Sequence, residues 1–350
     1  MHIGLLTGGG DCPGLNAVIR AVALALMRDA GARVSGIRRG FLGLMDNQVQ
    51  PLSAADVQGI VAQGGTILGT HNRCDPFHDG QAGGADRSDI ALQTLDEHRL
   101  DALVVIGGDG TMAIAHRFAQ RGVPVVGVPK TIDNDLLHTE RSFGFDSAVS
   151  VVAESLGRLE TTARSHGRVM IAETMGRYAG WIALEAGLAG AADVIAIPER
   201  ELQLDALLAR CDEQHASGGC TLISIAEGVS LDGQLSVQQT LADSPDPLRL
   251  GGVGMALQRW LQPQLRAEVR SVQLGHVQRG GTPTAFDRVL ATRFGWQAAQ
   301  LVQRGQFGRM VALQGDTLTD IALQDVAQGC RRVPPGHPLV QTAASLGVLI

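Results

Sequence analysis

Three segments of this chain gather residue types suited to handling phosphate. Thr7-Gly8-Gly9-Gly10-Asp11-Cys12-Pro13-Gly14 and Gly107-Gly108-Asp109-Gly110-Thr111 each follow an apolar run and precede a helical pattern, and Pro129-Lys130-Thr131-Ile132-Asp133-Asn134-Asp135 closes a third apolar run. Successive glycine amides at a helix start leave N–H groups converging on an anion, and the helix dipole adds to the attraction. A tight turn with positive φ explains any single glycine, but is a weak account of three in a row after a strand. No Gly-Lys-Ser/Thr follows, so the loops are not of the Walker type. Asp109, inside the second loop, would repel a phosphate unless a divalent cation bridged the two. Mg²⁺ held by one carboxylate and phosphate oxygens is therefore expected there, in preference to a helix-capping role for Asp109.

Lys130 is the sole lysine; every other permanently charged basic side chain is arginine. An ammonium is a compact point charge on a flexible stem, suited to following one phosphate oxygen in a tight space. Asp133 and Asp135 stand two apart just beyond it. One of them could accept a hydroxyl proton during phosphoryl transfer; the plainer reading is a solvated turn. A neighbouring cation neutralises phosphate charge and helps keep the acid ionised.

His166, Arg168, Arg177, Arg270, His276 and Arg279 recur beside glycines and strand ends. Arginine forks match phosphate bidentately. Surface solubility accounts for most arginines of the chain, but not for those inside runs such as Gly275-His276-Val277-Gln278-Arg279-Gly280-Gly281. Glu227 ends an apolar run, where a carboxylate needs a partner: a sugar hydroxyl or a neighbouring arginine.

The elements that must position these residues follow from apolar patterning. Strands are expected over 3–6, 102–106, 123–128, 168–172 and 221–225, and helices over 15–29 and 111–120. Strands alternating with helices imply a mostly parallel sheet covered on both faces, with ligands beyond the carboxyl ends of the strands. A helix running into a small-residue loop is expected over 206–219, a polar surface insertion over 231–248, and a last helical turn after Arg331-Arg332-Val333-Pro334-Pro335. No linker divides the chain, so if two domains exist they exchange segments.

With 350 residues, a sizeable core and two domains or one large one are within reach. Aromatics make up 3% of the chain and the net charge is −6, which disfavours nucleic-acid binding by stacking or by bulk charge. Any anionic substrate must be held by a local cationic cluster. The five cysteines show no C-x-x-C spacing, which argues for a reducing compartment and against a zinc site. Met1 leads straight into a strand pattern and no apolar run reaches spanning length, so a cytoplasmic protein away from membranes is expected.

Taken together, the glycine and aspartate loops, the Lys130 segment, Met175-Gly176-Arg177-Tyr178-Ala179-Gly180 and Leu274-Gly275-His276-Val277-Gln278-Arg279-Gly280-Gly281 resemble the phosphofructokinase family, in family order and across nearly the whole chain. The resemblance implies two doubly wound, Rossmann-like α/β domains with interchanged C-terminal segments. These would be residues 1–144 plus 277–328 for the phosphoryl donor, and 145–276 plus 329–350 for the sugar phosphate. It implies transfer of a phosphoryl group to the 1-hydroxyl of fructose 6-phosphate, with Asp133 as the base and Thr131, Lys130 and Arg177 at the transferred group. Gly9, Arg73, Cys74, Gly108, Asp109, Gly110 and Thr111 would line the donor site, Asp109 holding Mg²⁺. Ile132, Met175, Gly176 and Glu227 would meet the sugar, and His276, Val277, Gln278 and Arg279 its 6-phosphate side. Arg168 and Arg270 would complete a neighbouring subunit's site in a homo-oligomer, dimer or tetramer.

The donor is ATP or pyrophosphate within that family. Gly110 leaves room for the α-phosphate of a nucleotide and favours ATP; Lys130 resembles the pyrophosphate users. Leu24, one turn after Arg20, and the absence of further lysines depart from the family's effector pocket, so weak regulation by ADP or phosphoenolpyruvate is expected. A Gly-Gly-Asp-Gly loop also occurs in NAD kinases and diacylglycerol kinases, and a non-enzymatic nucleotide binder is a third reading. The Arg279 segment and the Thr131–Asp135 run favour the sugar kinase.

Overall fold

The computed structural model describes residues 1–80, 83–231, 233–240, 248–326 and 329–350. Its larger sheet holds seven strands in the order β15-β14-β5-β4-β1-β2-β3. These are β1 (His2–Thr7), β2 (Arg33–Ile37), β3 (Val49–Leu52), β4 (Ala102–Gly107), β5 (Val125–Pro129), β14 (Arg309–Gln314) and β15 (Thr317–Ala322). All neighbours run parallel except β2 with β3 and β14 with β15.

The smaller sheet has the order β13-β6-β8-β7, parallel throughout. It is built from β6 (Val169–Thr174), β7 (Val194–Ala196), β8 (Thr221–Ala226) and β13 (Val269–Gln273). Two short antiparallel ribbons lie between β8 and β13: β9 (Ser230–Leu231) with β10 (Gln234–Leu235), and β11 (Val237–Thr240) with β12 (Leu248–Leu250).

Every residue of β4, β6 and β8 is buried, as continuous apolar runs demand of central parallel strands. Along β4 the pleat sends Val104 and Ile106 into one core and Leu103 and Val105 into the other. The first core is closed by α1 (Leu15–Ala30) and α9 (Ala285–Gln303), the second by α2 (Gly40–Met45), α3 (Ser88–Glu97), α4 (Asp109–Gln120) and α10 (Leu323–Val326). Leu15, Val18, Ile19, Val22 and Leu26 form the buried stripe of α1 at helical spacing. Gly295 lets α9 lie directly on it, because a Cβ there would sit 2.7 Å from that of Ala21 and 2.8 Å from the Val18 carbonyl.

The smaller sheet is covered by α5 (Phe145–His166), α6 (Trp181–Ala189), α7 (Leu204–Ala216) and α8 (Val253–Leu261). After α11 (Pro338–Ser345) the chain ends beside β7, where the Ile195 amide donates to the Leu349 carbonyl at 2.8 Å.

The order of the larger sheet reverses at β1, which has β2 on one side and β4 on the other. The loops leaving β1 and β4 therefore splay apart at their carboxyl ends and open a crevice, the usual ligand position in such sheets. The loops leaving β6, β8 and β13 face it from the smaller sheet. No helix among the described residues is long and apolar enough to cross a membrane.

Candidate active site

The two sets of loops enclose a cleft of about 1030 Å³. One wall is the glycine loop after β1, the start of α4 and a stretch from Thr70 to Cys74; the other is formed by Met175, Arg177, Glu227, Gly275, His276 and Arg279. Lys130, Thr131 and Asp133 form the floor between them.

Close packing fixes the donor-side wall. Thr111, in the first turn of α4, fills the space beside Gly8 and Gly107, where added Cβ atoms would fall 2.7 and 2.3 Å from its side chain. Those two glycines therefore answer to Thr111 as well as to any anion. Gly9 is different: its φ is +76°, its amide donates to the His71 carbonyl at 3.2 Å and its carbonyl accepts from Thr70 Oγ1 at 2.6 Å. Nothing lies within 4 Å of a Cβ built on Gly110, so the α4 terminus opens freely onto the cleft there.

Asp109 makes no side-chain cap to α4; it faces Arg177, with Nη1 at 3.5 Å from Oδ1. Its carboxylate is about half exposed. No group of three or more metal-ligating side chains occurs among the described residues, so a divalent ion here would take most of its ligands from phosphate oxygens and water, as Mg²⁺ does.

Lys130 is buried, and its ammonium donates to the Gly10 carbonyl across the floor of the cleft. Burial pulls its pKa below the ordinary lysine value. Arg279 reaches the same loop, donating from Nη1 to the Asp11 carbonyl at 3.0 Å and closing on Gly10, where a Cβ would stand 2.8 Å from that nitrogen. One cation from the floor and one from the opposite wall thus grip the loop after β1.

Asp133 is buried, and its Oδ1 has no hydrogen-bond partner among the described residues. Burial raises its pKa above the ordinary carboxylate value, against the pull of Arg279 and Arg177. Asp135 rises to about 7, through burial first and then the charges of Asp133 and Asp109. The loop carrying them is braced: Ser142 Oγ donates to the Thr131 carbonyl at 2.8 Å, and Asn134, at φ +53°, accepts from the Ser142 amide at 3.1 Å.

On the other wall Glu227 is buried and accepts from the Arg177 amide at 3.0 Å, while burial lifts its pKa to about 7. Arg177 is held at φ +51°, a strained setting of the kind found at functional sites. Gly176, at φ +141°, is required beside it, since a Cβ would meet the Ala179 carbonyl at 2.5 Å.

Several residues expected at the site lie elsewhere. Ile132 is fully buried in the hydrophobic core: its neighbours Thr131 and Asp133 line the cleft and it points away. Gln278 is also fully buried and acts as a brace, accepting from the Met175 amide at 3.3 Å and donating to the Gly275 carbonyl at 3.0 Å. Val277 is exposed, and neither it nor Gly176 is part of the cleft lining.

Arg168 immediately precedes β6 and Arg270 is the second residue of β13, at the amino end of the smaller sheet, away from the cleft. Both pair with Glu268, whose carboxyl they hold below its usual range. His166 is the last residue of α5 and likewise does not line the cleft.

The polar stretch expected to be a surface insertion meets the cleft at both ends of its described part. Gln238, Gln239 and Leu248 line it, as do Arg249 and Leu250 just beyond, while residues 232 and 241–247 lie outside the described residues. Phe41, Thr70, His71 and Ile114 also line the cleft, and no sequence motif marks them.

Comparison with known proteins agrees with this geometry. The family model described as phosphofructokinase matches residues 2–302. The chain is 45% identical to ATP-dependent 6-phosphofructokinase 2 of Clostridium perfringens, over 99% of this chain and 97% of that protein. It is also 45% identical to the pyrophosphate–fructose 6-phosphate 1-phosphotransferase of Amycolatopsis methanolica, over 96% and 97%. Among solved structures, phosphofructokinase from Saccharomyces cerevisiae superposes with a TM-score of 0.80 at 28% identity, covering 99% of this chain and 46% of that one. A pyrophosphate-dependent phosphofructokinase from Marinobacter aquaeolei reaches a TM-score of 0.83 at 22% identity, covering 100% and 88%, a likeness of fold. With its glycine loops, buried acid and arginine-lined cleft in the expected order, the chain belongs to the phosphofructokinase family.

Proposed function

We propose that the protein transfers the terminal phosphoryl group of ATP to the 1-hydroxyl of fructose 6-phosphate, with Asp133 as the base. The observation that carries the reading is Asp133 Oδ1, buried without a partner among the described residues on the floor between the two walls. An unpaired buried carboxylate oxygen costs free energy that a substrate hydroxyl would offset. The same contact sets up removal of the hydroxyl proton as oxygen attacks phosphorus.

Gly9, Arg73, Cys74 and the 108–111 loop hold the donor, Lys130, Thr131 and Arg177 meet the phosphoryl group in flight, and Met175, Glu227, His276 and Arg279 hold the sugar phosphate. Asp109, half exposed and beside open space at Gly110, would hold Mg²⁺. Bound there, the ion would neutralise charge on the donor phosphates. Arg177, already within 3.5 Å of Asp109, then links the donor wall to the sugar wall.

ATP is favoured by the room at Gly110 and by the names of several relatives. Pyrophosphate is the second reading, favoured by the Lys130 ammonium at Gly10 and by equally similar relatives so named. Steady-state kinetics with both donors decides: kcat/KM is expected to be higher with ATP, and Gly110→Asp should lower it with ATP alone. A higher wild-type value with pyrophosphate would reverse the donor assignment.

The division into 1–144 plus 277–328 and 145–276 plus 329–350 is supported by β14 and β15 joining the larger sheet and by residue 349 pairing beside β7. A homo-oligomer is supported by Arg168 and Arg270 lying away from their own cleft, and a cytoplasmic setting by five free cysteines.

A further inference from the structure

Part of the donor wall has no regular structure of its own. Residues 53–78 form neither helix nor strand, and the turn from Thr70 to Cys74 within them lines the cleft. Without a helix or sheet ladder, such a turn keeps one shape only where other bonds fix it. Its start is zipped to the loop after β1. Thr7 Oγ1 donates to the Gly69 carbonyl at 2.7 Å, Thr70 Oγ1 to the Gly9 carbonyl at 2.6 Å, and the Gly9 amide to the His71 carbonyl at 3.2 Å.

Its end is held by a single side chain. His71 Nδ1 accepts from the Arg73 amide at 3.3 Å and from the Cys74 amide at 3.0 Å. Neither amide has another acceptor among the described residues. A backbone N–H can only donate, so Nδ1 carries no hydrogen and the proton of the neutral ring sits on Nε2. The imidazole thus stands at the centre of the turn, with Arg73 exposed on its outer side.

The surroundings of the ring favour this neutral form. Partial burial, and then the charges of Arg39 just ahead of α2 and of Arg73 on the turn itself, hold the His71 pKa below its ordinary value of 6.5. Asp46 at the end of α2, ion-paired to Arg39 at 2.8 Å, pulls the other way. A proton on Nδ1 would set a third donor against two amides and release the turn.

We propose that His71 is a positioning residue of the donor site: its unprotonated Nδ1 fixes the turn that presents Arg73 and Cys74 to the phosphoryl donor, and protonation in mild acid loosens that turn. The assignment rests on the proposed function and deepens it. His71 takes no part in the transfer and acts through the shape of the donor wall.

The test is steady-state kinetics of His71→Ala and His71→Asn, with ATP and with pyrophosphate, at about pH 8 and about pH 5.5. Loss of both hydrogen bonds should raise donor KM about fivefold or more in His71→Ala at the higher pH. kcat and sugar-phosphate KM should stay within about twofold. Asn carries an oxygen near the Nδ1 position and readily accepts from the amide two residues on, so His71→Asn should recover most of the loss. Asn does not titrate. The ratio of wild-type to His71→Asn donor KM should therefore climb as pH falls, while the titrations of Asp133 and of the phosphates cancel between the two proteins.

Should His71→Ala fail to fold, the comparison of His71→Asn with wild type across pH decides alone. An unchanged donor KM in His71→Ala, an equal rise for sugar and donor, or a wild-type-to-Asn ratio that ignores pH overturns the assignment while leaving the proposed function standing. A wild-type protein that phosphorylates fructose 6-phosphate with neither donor overturns both.

Discussion

At the scale of single residues, the unusual chemistry collects where water is thin. Asp133 is buried with one oxygen unpartnered among the described residues, and the guanidinium groups of Arg279 and Arg177 pull against the burial. Asp133→Asn removes the acceptor of a proton and keeps the shape, so kcat should fall by about 10²–10⁴ with an unchanged circular dichroism spectrum. Activity near the wild-type level would remove Asp133 from the role of base. Because burial raises its pKa, the acidic limb of kcat/KM should fall at a pH above the ordinary aspartate value of 3.8, the rate being lost as pH drops and the carboxylate protonates. Lys130 tests a different point. Its ammonium is already spent in part on Gly10. If it follows the phosphoryl group in flight, Lys130→Gly should lower kcat tenfold or more with either donor and leave sugar-phosphate KM within about twofold. A change confined to donor KM would assign it to ground-state binding. Both residues were legible in the sequence because their types are rare in such settings: a lone lysine, and acids after an apolar run. Ile132 and Gln278 were not. Proximity in a motif does not say which way a side chain points, and the one is core while the other is a brace.

At the scale of elements, the apolar runs foretold β1, β4, β5, β6 and β8 because strands buried on both faces leave a continuous signature. β13 and β11 escaped because they are largely exposed and polar, so no period separates them from loop. The polar stretch at 231–248 was read as a surface insertion for that reason, yet its Gln238, Gln239 and Leu248 line the cleft. Helix starts also carried unread information. Asp287, in the first turn of α9, accepts from both the amide and the hydroxyl of Ser147 in the first turn of α5, at 2.8 and 2.6 Å. The pair stitches the helix that links the two sheets to the helix that backs the larger one. Burial lifts the Asp287 pKa from 3.8 to about 6, so the folded state binds its proton more tightly than the unfolded chain does. That contribution is present in acid and is lost as pH climbs from about 4 to about 6. Asp287→Asn removes the titration. The stability of the variant relative to wild type should therefore improve by roughly 1–2 kcal/mol between pH 5 and pH 7.5. Chemical denaturation at the two pH values measures it, and an opposite trend would mean that the two hydrogen bonds outweigh burial.

At the scale of the whole molecule, each sheet has a carboxyl end and an amino end, and only the carboxyl ends meet at the cleft. The geometry follows from parallel strands: a residue that begins β6 or β13 cannot reach a ligand lying beyond the far end of the same strands. Arg168 and Arg270 are so placed, holding Glu268 between them, and a role for them in catalysis requires a second copy of the chain. Any such role was open to the sequence only through family resemblance, since no spacing rule assigns a residue to a neighbour. Subunit mixing gives a direct measurement. Asp133→Asn and Arg270→Ala should each be nearly inactive alone at low sugar phosphate, for different reasons. In a dimer that shares residues across its two-fold axis, a hybrid of the two variants places both lesions in one site and leaves the other site intact. Random re-association of equal amounts should therefore restore about a quarter of all sites, with wild-type sugar-phosphate KM in the recovered fraction. Activity that remains at the sum of the separate variants after exchange, with hybrids verified by mass, would show that each cleft is served by its own chain. Arg270 would then be a surface ion-pair residue.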